Sequence, residues 1–267
     1  MKVSEIIDFL EEEAPAKDAL EWDNVGLLVG STDWEVSRIY VALDATDEVI
    51  THAIEAKADM IVTHHPMIFK QVNRVVENDY VGRRILRLVE HHIACFAMHT
   101  NFDIHRMGKL AEEKLGLSHT IALEPCEIDG EVDVNVGLGR IGSLLDKPTT
   151  LEEYAWRVRE SFELPYVRVY GEAKQMIHTI AICPGSGRSE IKNALAAGAD
   201  LLITGDIDHH SGIDAVAQNL SIIDAGHYGV EHIFIAHIRD LLSEATDLPV
   251  IGEEKKMPYW LSLEEES

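Results

Sequence analysis

His64 and His65 stand side by side in the stretch MIVTHHPMIF (residues 60–69), after one apolar run and before another. Pro66 follows directly. It has no amide hydrogen and biases the residue before it toward an extended conformation, so a strand over Met60–Thr63 should end here. Inside a regular strand, adjacent side chains point to opposite faces. Beyond the strand end both imidazoles can turn toward one cavity from different sides, a geometry suited to two metal ions with one ring each. Two more pairs carry the same chemistry: CFAMHTNFD contains His99 and Asp103, and IIDAGHYGVE contains His227 and Glu231. Each is His-x-x-x-acid after an aliphatic run. If a helix begins near Tyr228, His227 and Glu231 project from one face, and His99 and Asp103 can do likewise. Imidazole nitrogens mixed with carboxylate oxygens, without thiolate, suit zinc, iron, manganese or nickel. A carboxylate shared by two ions would hold a water beside them at lowered pKa. Spacing alone leaves open which of His99 and Asp103 is a ligand.

Short aliphatic runs alternate with helical stretches through most of the chain, which indicates an α/β fold. Ile39–Leu43, Met60–Thr63 and Ile93–Met98 read as strands; Glu48–Lys57 and Tyr80–Glu90 read as helices. The pattern has an internal echo. AKADMIVTHH (residues 56–65) and AGADLLITGD (residues 197–206) match, and the two His-x-x-x-acid pairs follow in the same order. An internally duplicated protein is expected, with two intertwined α/β lobes of layered helices and sheet. The first repeat covers residues 1–124 and the second 125–267, with polar, glycine-containing Glu124–Arg140 as the connection. The dinuclear metal site would lie in the cleft between them, because ligands bind at the carboxyl ends of strands in such folds.

Two weaker signals accompany the cluster. Asp206, His209 and His210 follow the second strand where the first carries its histidine pair, so with His99 they are candidates to orient ligands or face substrate. The stretch Pro184–Ser189 (PGSGRS) could cradle a phosphate with Gly185, Gly187 and Arg188, or be a tight strand-to-helix turn. It lacks the Gly-Lys-Ser/Thr of a P-loop. Most of the fourteen histidines need no special role.

The chain has 267 residues, 46% of them hydrophobic and 26% charged, as in ordinary globular proteins. Its formal net charge of -24, from 47 acids against 23 bases, argues against a nucleic-acid surface and leaves room for a small anion held at a local cationic site. Cys95, Cys126 and Cys183 offer neither a disulfide framework nor a zinc spacing, which suits a reducing compartment. MKVSEIIDFLEEEAP lacks a signal-peptide profile, and Val3, Ile6, Ile7 and Leu10 recur at helical spacing. No apolar run is long enough to span a bilayer, so a cytoplasmic location is expected.

THHPMIF (63–69), HTNFD (99–103), GADLLITGDIDHH (198–210) and GHYGVE (226–231) together resemble the Ngg-interacting-factor-three-like family. EWDNVGLLVG (21–30) and GLGRIGSL (137–144) fit as well, so the resemblance runs through nearly the whole chain, in a short form without a central inserted domain. It implies a duplicated α/β fold, two divalent metal ions and a toroidal homohexamer built from dimers. It assigns the ligands to His64, His65, Asp103, His227 and Glu231, with His99 nearby and not counted among them. The family is often described as GTP cyclohydrolase I type 2, implying hydrolytic opening of the guanine imidazole ring of GTP, with loss of formate and formation of dihydroneopterin triphosphate. The competing expectation is a non-enzymatic metallochaperone or regulatory scaffold.

Overall fold

The computed structural model describes residues 1–144 and 148–262. Helix α1 (Val3–Glu13) leads into strands β1 (Gly26–Val29) and β2 (Ile39–Ala42), helix α2 (Asp47–Glu55), β3 (Met60–Thr63), α3 (Tyr80–Glu90) and β4 (Ala94–Ala97). A short helix α4 (Thr100–Phe102), a π-helical turn (Asp103–Met107) and α5 (Gly108–Leu115) precede the long strands β5 (Leu117–Ile128) and β6 (Glu131–Leu144). Next come β7 (Thr149–Thr150), α6 (Leu151–Ser161), β8 (Arg168–Tyr170), β9 (Met176–Ile177), β10 (Thr179–Ser186) and α7 (Ile191–Ala196). The chain continues through β11 (Leu201–Gly205), α8 (His209–Val216), β12 (Ser221–Asp224), α9 (His227–Glu231), α10 (Ile233–Ala245) and β13 (Val250–Gly252).

Two sheets carry the architecture, in the orders β1-β4-β3-β2-β13 and β5-β6-β10-β11-β12-β8; β7 and β9 form a small pair. β2, β3 and β4 are parallel neighbours, and β1 runs antiparallel beside β4. β10, β11 and β12 are likewise parallel neighbours, and β8 runs antiparallel beside β12.

Each central strand is aliphatic on both faces, as burial between helix layers requires. On β2, Ile39 and Val41 enter the main core while Tyr40 and Ala42 enter a second one. On β3, Met60 and Val62 face the main core and Ile61 the second. The period of two therefore sorts side chains into layers. The main core joins both sheets to α1, α5, α6 and α10; the second lies under α2 and α3, and a third under α7 and α8. Full burial of each such aliphatic side chain contributes about 1.5–3 kcal/mol. Local caps fix where helices start: the Thr46 hydroxyl accepts from the Val49 amide at α2, and Asp79 accepts from the Gly82 amide at α3.

Two expectations change. Glu124–Arg140 is not a connection: it lies within the β5–β6 hairpin, an integral part of the second sheet. The division at 124/125 thus falls inside β5, and β13 returns to pair with β2 in the first sheet. Among the described residues, no helix is long and apolar enough to cross a membrane.

Candidate metal centre

The parallel strands of both sheets release their chains into one cleft, and the residues just past the strand ends build the site. β2 is followed by Asp44, β3 by His64 and His65, and β4 by His99. From the second sheet, β10 carries Gly185 near its end, β11 is followed by Asp206 and β12 by the turn into α9 with His227 and Glu231. Asp103 opens the π-helical turn.

Four histidines are fixed in the same sense. His64 Nδ1 lies 2.7 Å from the Met98 carbonyl oxygen, which only accepts, so Nδ1 carries the proton and Nε2 faces inward. His65 Nδ1 donates to Asp44 Oδ1 at 2.9 Å, His227 Nδ1 to Asp206 Oδ2 at 2.8 Å, and His99 Nδ1 to Asp23 Oδ1 at 2.9 Å. Asp23 is anchored in turn by the Thr100 amide and hydroxyl. An acceptor on Nδ1 that leaves Nε2 free is the arrangement that orients histidine toward a metal.

The Nε2 atoms converge on two carboxylates. Glu231 Oε2 is 3.1 Å from His65 Nε2 and 3.0 Å from His227 Nε2; Glu231 Oε1 is 3.7 Å from His64 Nε2. Asp103 Oδ1 is 3.4 Å from His64 Nε2. His65–His227–Glu231 and His64–Asp103–Glu231 each bring three ligand atoms within 4.8 Å of one another, with Glu231 common to both; His64–His65–His99 forms a third such group.

These atoms are expensive to bury unless something binds them. His64 is fully buried and Glu231 is 3% exposed. Yet His64 Nε2, Asp103 Oδ1 and Glu231 Oε2 have no partner in hydrogen-bond geometry. A buried orphan costs about 1–3 kcal/mol, more if charged, so three in one cluster fit divalent ions as their missing partners. The nitrogen and oxygen donor set fits the same group.

Charge follows the geometry. Burial opposes charge on His65, but the Asp44 and Glu231 carboxylates outweigh it and raise the imidazole to about 10. Burial likewise opposes charge on His227, yet Glu231 and Asp206 raise it to about 9. Burial and then the Glu231 charge push Asp103 up to about 7. Glu231 itself is held well below the usual carboxylate range: burial opposes this, and the surrounding histidines prevail.

The backbone is shaped around the cluster. Gly185 has φ +78°, and a Cβ there would lie 2.3 Å from Glu231 Oε1. Of the six-residue stretch 184–189, Pro184, Gly185, Ser186 and Ser189 border a cavity of about 480 Å³ that opens from the cluster. Gly187 and Arg188 do not serve a phosphate cradle there: the Gly187 amide donates to Thr204 at 2.8 Å, and the Arg188 guanidinium pairs with Asp208 at 3.3 Å.

Of the residues nominated from sequence, His64, His65, Asp103, His227 and Glu231 come together, His99 stands beside them, and Asp206 orients His227. His210 does not join them: it is exposed on α8 with its ring against His209. Asp44 and Asp23 escaped the sequence reading. Asp44 had a signal, since it follows β2 as His64 follows β3.

An α/β protein with a buried His–carboxylate cluster at facing strand ends defines the class. The sequence matches Duf34/NIF3 (NGG1p interacting factor 3) over residues 1–257, and the chain belongs to that family. It is 36% identical over 251 residues to a Streptococcus pneumoniae protein named GTP cyclohydrolase 1 type 2 homolog, covering 91% of each chain. A Clostridium perfringens protein of the same name is 33% identical over 264 residues, covering 97% of this chain and 99% of that one. Among solved structures, a Bacillus cereus protein related to NIF3 superposes with a TM-score of 0.90 at 23% identity, covering 98% and 99% of the two chains. A Staphylococcus aureus protein does so with a TM-score of 0.88 at 30% identity, with the same coverage.

Proposed function

We propose that the protein holds two divalent metal ions and is a metal-dependent hydrolase acting on a nucleotide, with GTP the first candidate. The observation that carries this reading is Glu231, a buried carboxylate common to two ligand groups and facing a cavity of substrate size. One ion would be held by His64, Asp103 and Glu231, the other by His65, His227 and Glu231. When bound, such ions supply Lewis acidity toward the substrate and toward water. The chain's own residues do the rest: Asp44, Asp206 and the Met98 carbonyl lock the imidazoles, and Gly185 lets the backbone close on Glu231. The shared name of the relatives supports GTP, with hydrolytic opening of the imidazole ring and release of formate. Metal analysis of protein purified without added metal, followed by a formate-release assay with GTP, tests this. Protein with two ions that releases no formate overturns the cyclohydrolase reading.

A metallochaperone is the second reading. His227 is 34% exposed at its side chain whereas His64 is fully buried, so an ion in the outer group could exchange with an acceptor. Slow exchange to an apo acceptor, on a timescale of hours, would exclude it. Under either reading we also propose an internally duplicated layout, supported by the matching strand orders around β3 and β11, and a homohexamer built from dimers. An apolar groove between α6 and β8, with Trp156, Tyr166 and Val169 exposed, supports subunit contact; analytical ultracentrifugation measures the assembly.

A further inference from the structure

The cavity that opens from the cluster is also lined by two acids that the metal chemistry leaves unused. Glu124 projects from β5 and Glu190 from the turn before α7; both line the cavity, and burial and then the nearby Glu190 charge raise Glu124 above the ordinary carboxylate range. Asn193 Nδ2 donates to both, at 2.7 Å to Glu190 Oε2 and 3.2 Å to Glu124 Oε2. Glu190 is 4% exposed, so this pair is built into the wall and not a solvated surface cluster. Cys183 also lines the cavity: burial first, then the charges of Glu190, Asp103, Glu231 and Glu124, drive its thiol well above the ordinary value. It is thereby kept as a neutral part of the wall.

An acid pair alone would not define a ligand site. Here the same cavity is lined by Glu231, whose side chain is 4% exposed and whose Oε2 lacks a hydrogen-bond partner. Trp22 lines the cavity as well, 59% exposed, with its ring set edge-to-face against His99 at 6.0 Å and Phe69 at 5.9 Å. Once the cluster holds cations, one cavity is lined by positive charge, by the Glu124–Glu190 pair and by an aromatic ring.

We propose that Glu124 and Glu190 read an N–H-rich edge of the substrate, of amidine or guanidine type, on a planar ring that Trp22 flanks while the opposite end of the ligand meets the cluster. This inference rests on the reading of the cavity as a substrate site. Carboxylate oxygens accept from two parallel N–H groups, and hydrogen bonds to a charged acceptor are the stronger kind. A ring bearing a single N–H on that edge leaves one acceptor unpaired. Stacking against an aromatic face tolerates many rings and so supplies affinity without discrimination.

Guanosine and inosine 5′-monophosphates differ only in the exocyclic amino group and serve as probes. Their binding to the metal-loaded full-length protein is measured by titration calorimetry. Wild type should prefer the guanosine nucleotide by about tenfold or more. Glu124→Gln should reduce the preference to within about twofold at unchanged metal content, and Asn193→Ala should erode it in the same direction. Trp22→Ala should weaken both nucleotides by similar factors and keep their ratio. Equal affinities in wild type, a preference retained in Glu124→Gln, or no binding of either nucleotide overturns the proposal. Because binding is read without turnover, failure to release formate from GTP counts against the cyclohydrolase reading alone. Formate release without nucleotide preference counts against this one alone.

Discussion

His65 and His227 come from opposite halves of the chain, yet their Nε2 atoms approach to 3.2 Å. Each is backed by its own carboxylate, Asp44 and Asp206, and both face Glu231 Oε2. Two nitrogens and a carboxylate oxygen at such distances are placed to compete for protons and, in the function proposed above, to serve as co-ligands of one cation.

Proton displacement gives a pH dependence with a definite sign. His65 and His227 are raised in the folded chain to about 10 and about 9, from 6.5 when unfolded. Folded protein binds more protons between these values, so their stabilising contribution is full below pH 6.5 and is lost as pH rises through about 9 and 10. Thermal unfolding of chelator-treated protein should show Tm falling from pH 6.5 to 10. Metal affinity should rise over the same interval, because fewer protons must leave. A Tm that increases with pH in the metal-free protein would contradict the assignment.

Removing Glu231 should disrupt both ligand groups at once. Glu231→Ala is expected to reduce bound metal from the proposed two ions per chain to fewer than about 0.2 at micromolar free metal, as read by plasma mass spectrometry. His227→Ala should leave the buried His64–Asp103–Glu231 group able to hold one ion. Equal losses in the two variants would mean that the groups do not share Glu231 as described.

Asp44→Asn keeps the size of the side chain and removes the charge behind His65. Loss of such a supporting acceptor typically costs about 10- to 100-fold in metal affinity. Competition with a calibrated chelator measures it. Folding should be affected little, since Asp44 is 48% exposed at its side chain.

Gly185→Ala tests the close approach of backbone to ligand. The added Cβ would meet Glu231 Oε1 at 2.3 Å, at a φ of +78° that L-residues avoid. A loss of about 1–3 kcal/mol in unfolding free energy is expected, together with reduced metal binding. Denaturant titration and metal analysis on the same sample check both parts.

Saturating metal should stabilise the fold by mass action. At a free concentration one hundred times Kd, one site contributes about 2.7 kcal/mol. Chelation should therefore lower Tm in wild type and have little effect in Glu231→Ala. Unchanged wild-type Tm on chelation would exclude tight binding.

Much of this site was legible from sequence because its residues are rare types at telling places. A histidine pair before a proline, and two His-x-x-x-acid pairs after aliphatic runs, stand out against the background. The supporting acids stand out less: Asp44 is marked only by its place after β2, and Asp23, Glu124 and Glu190 are single members of a set of 47. Only the folded chain brings them to the imidazoles or to each other. The β5–β6 hairpin was obscured for another reason. Val132, Val134 and Val136 alternate as a strand should, but acids and glycines surround them, and Val132 and Val134 remain 63% and 51% exposed. A strand that buries little apolar area reads as a loop.

The pairing of β13 with β2 has a consequence for how the protein is made. Residues 250–252 form one edge of a sheet whose other strands lie before residue 98. His227 and Glu231 also emerge from the ribosome long after His64 and His65. A nascent first half therefore presents an unfinished sheet edge and an incomplete set of donors during synthesis. Capture of metal by the proposed ligand set has to wait until residues 227–231 have been translated, so the centre can be completed only after both halves of the fold have been made.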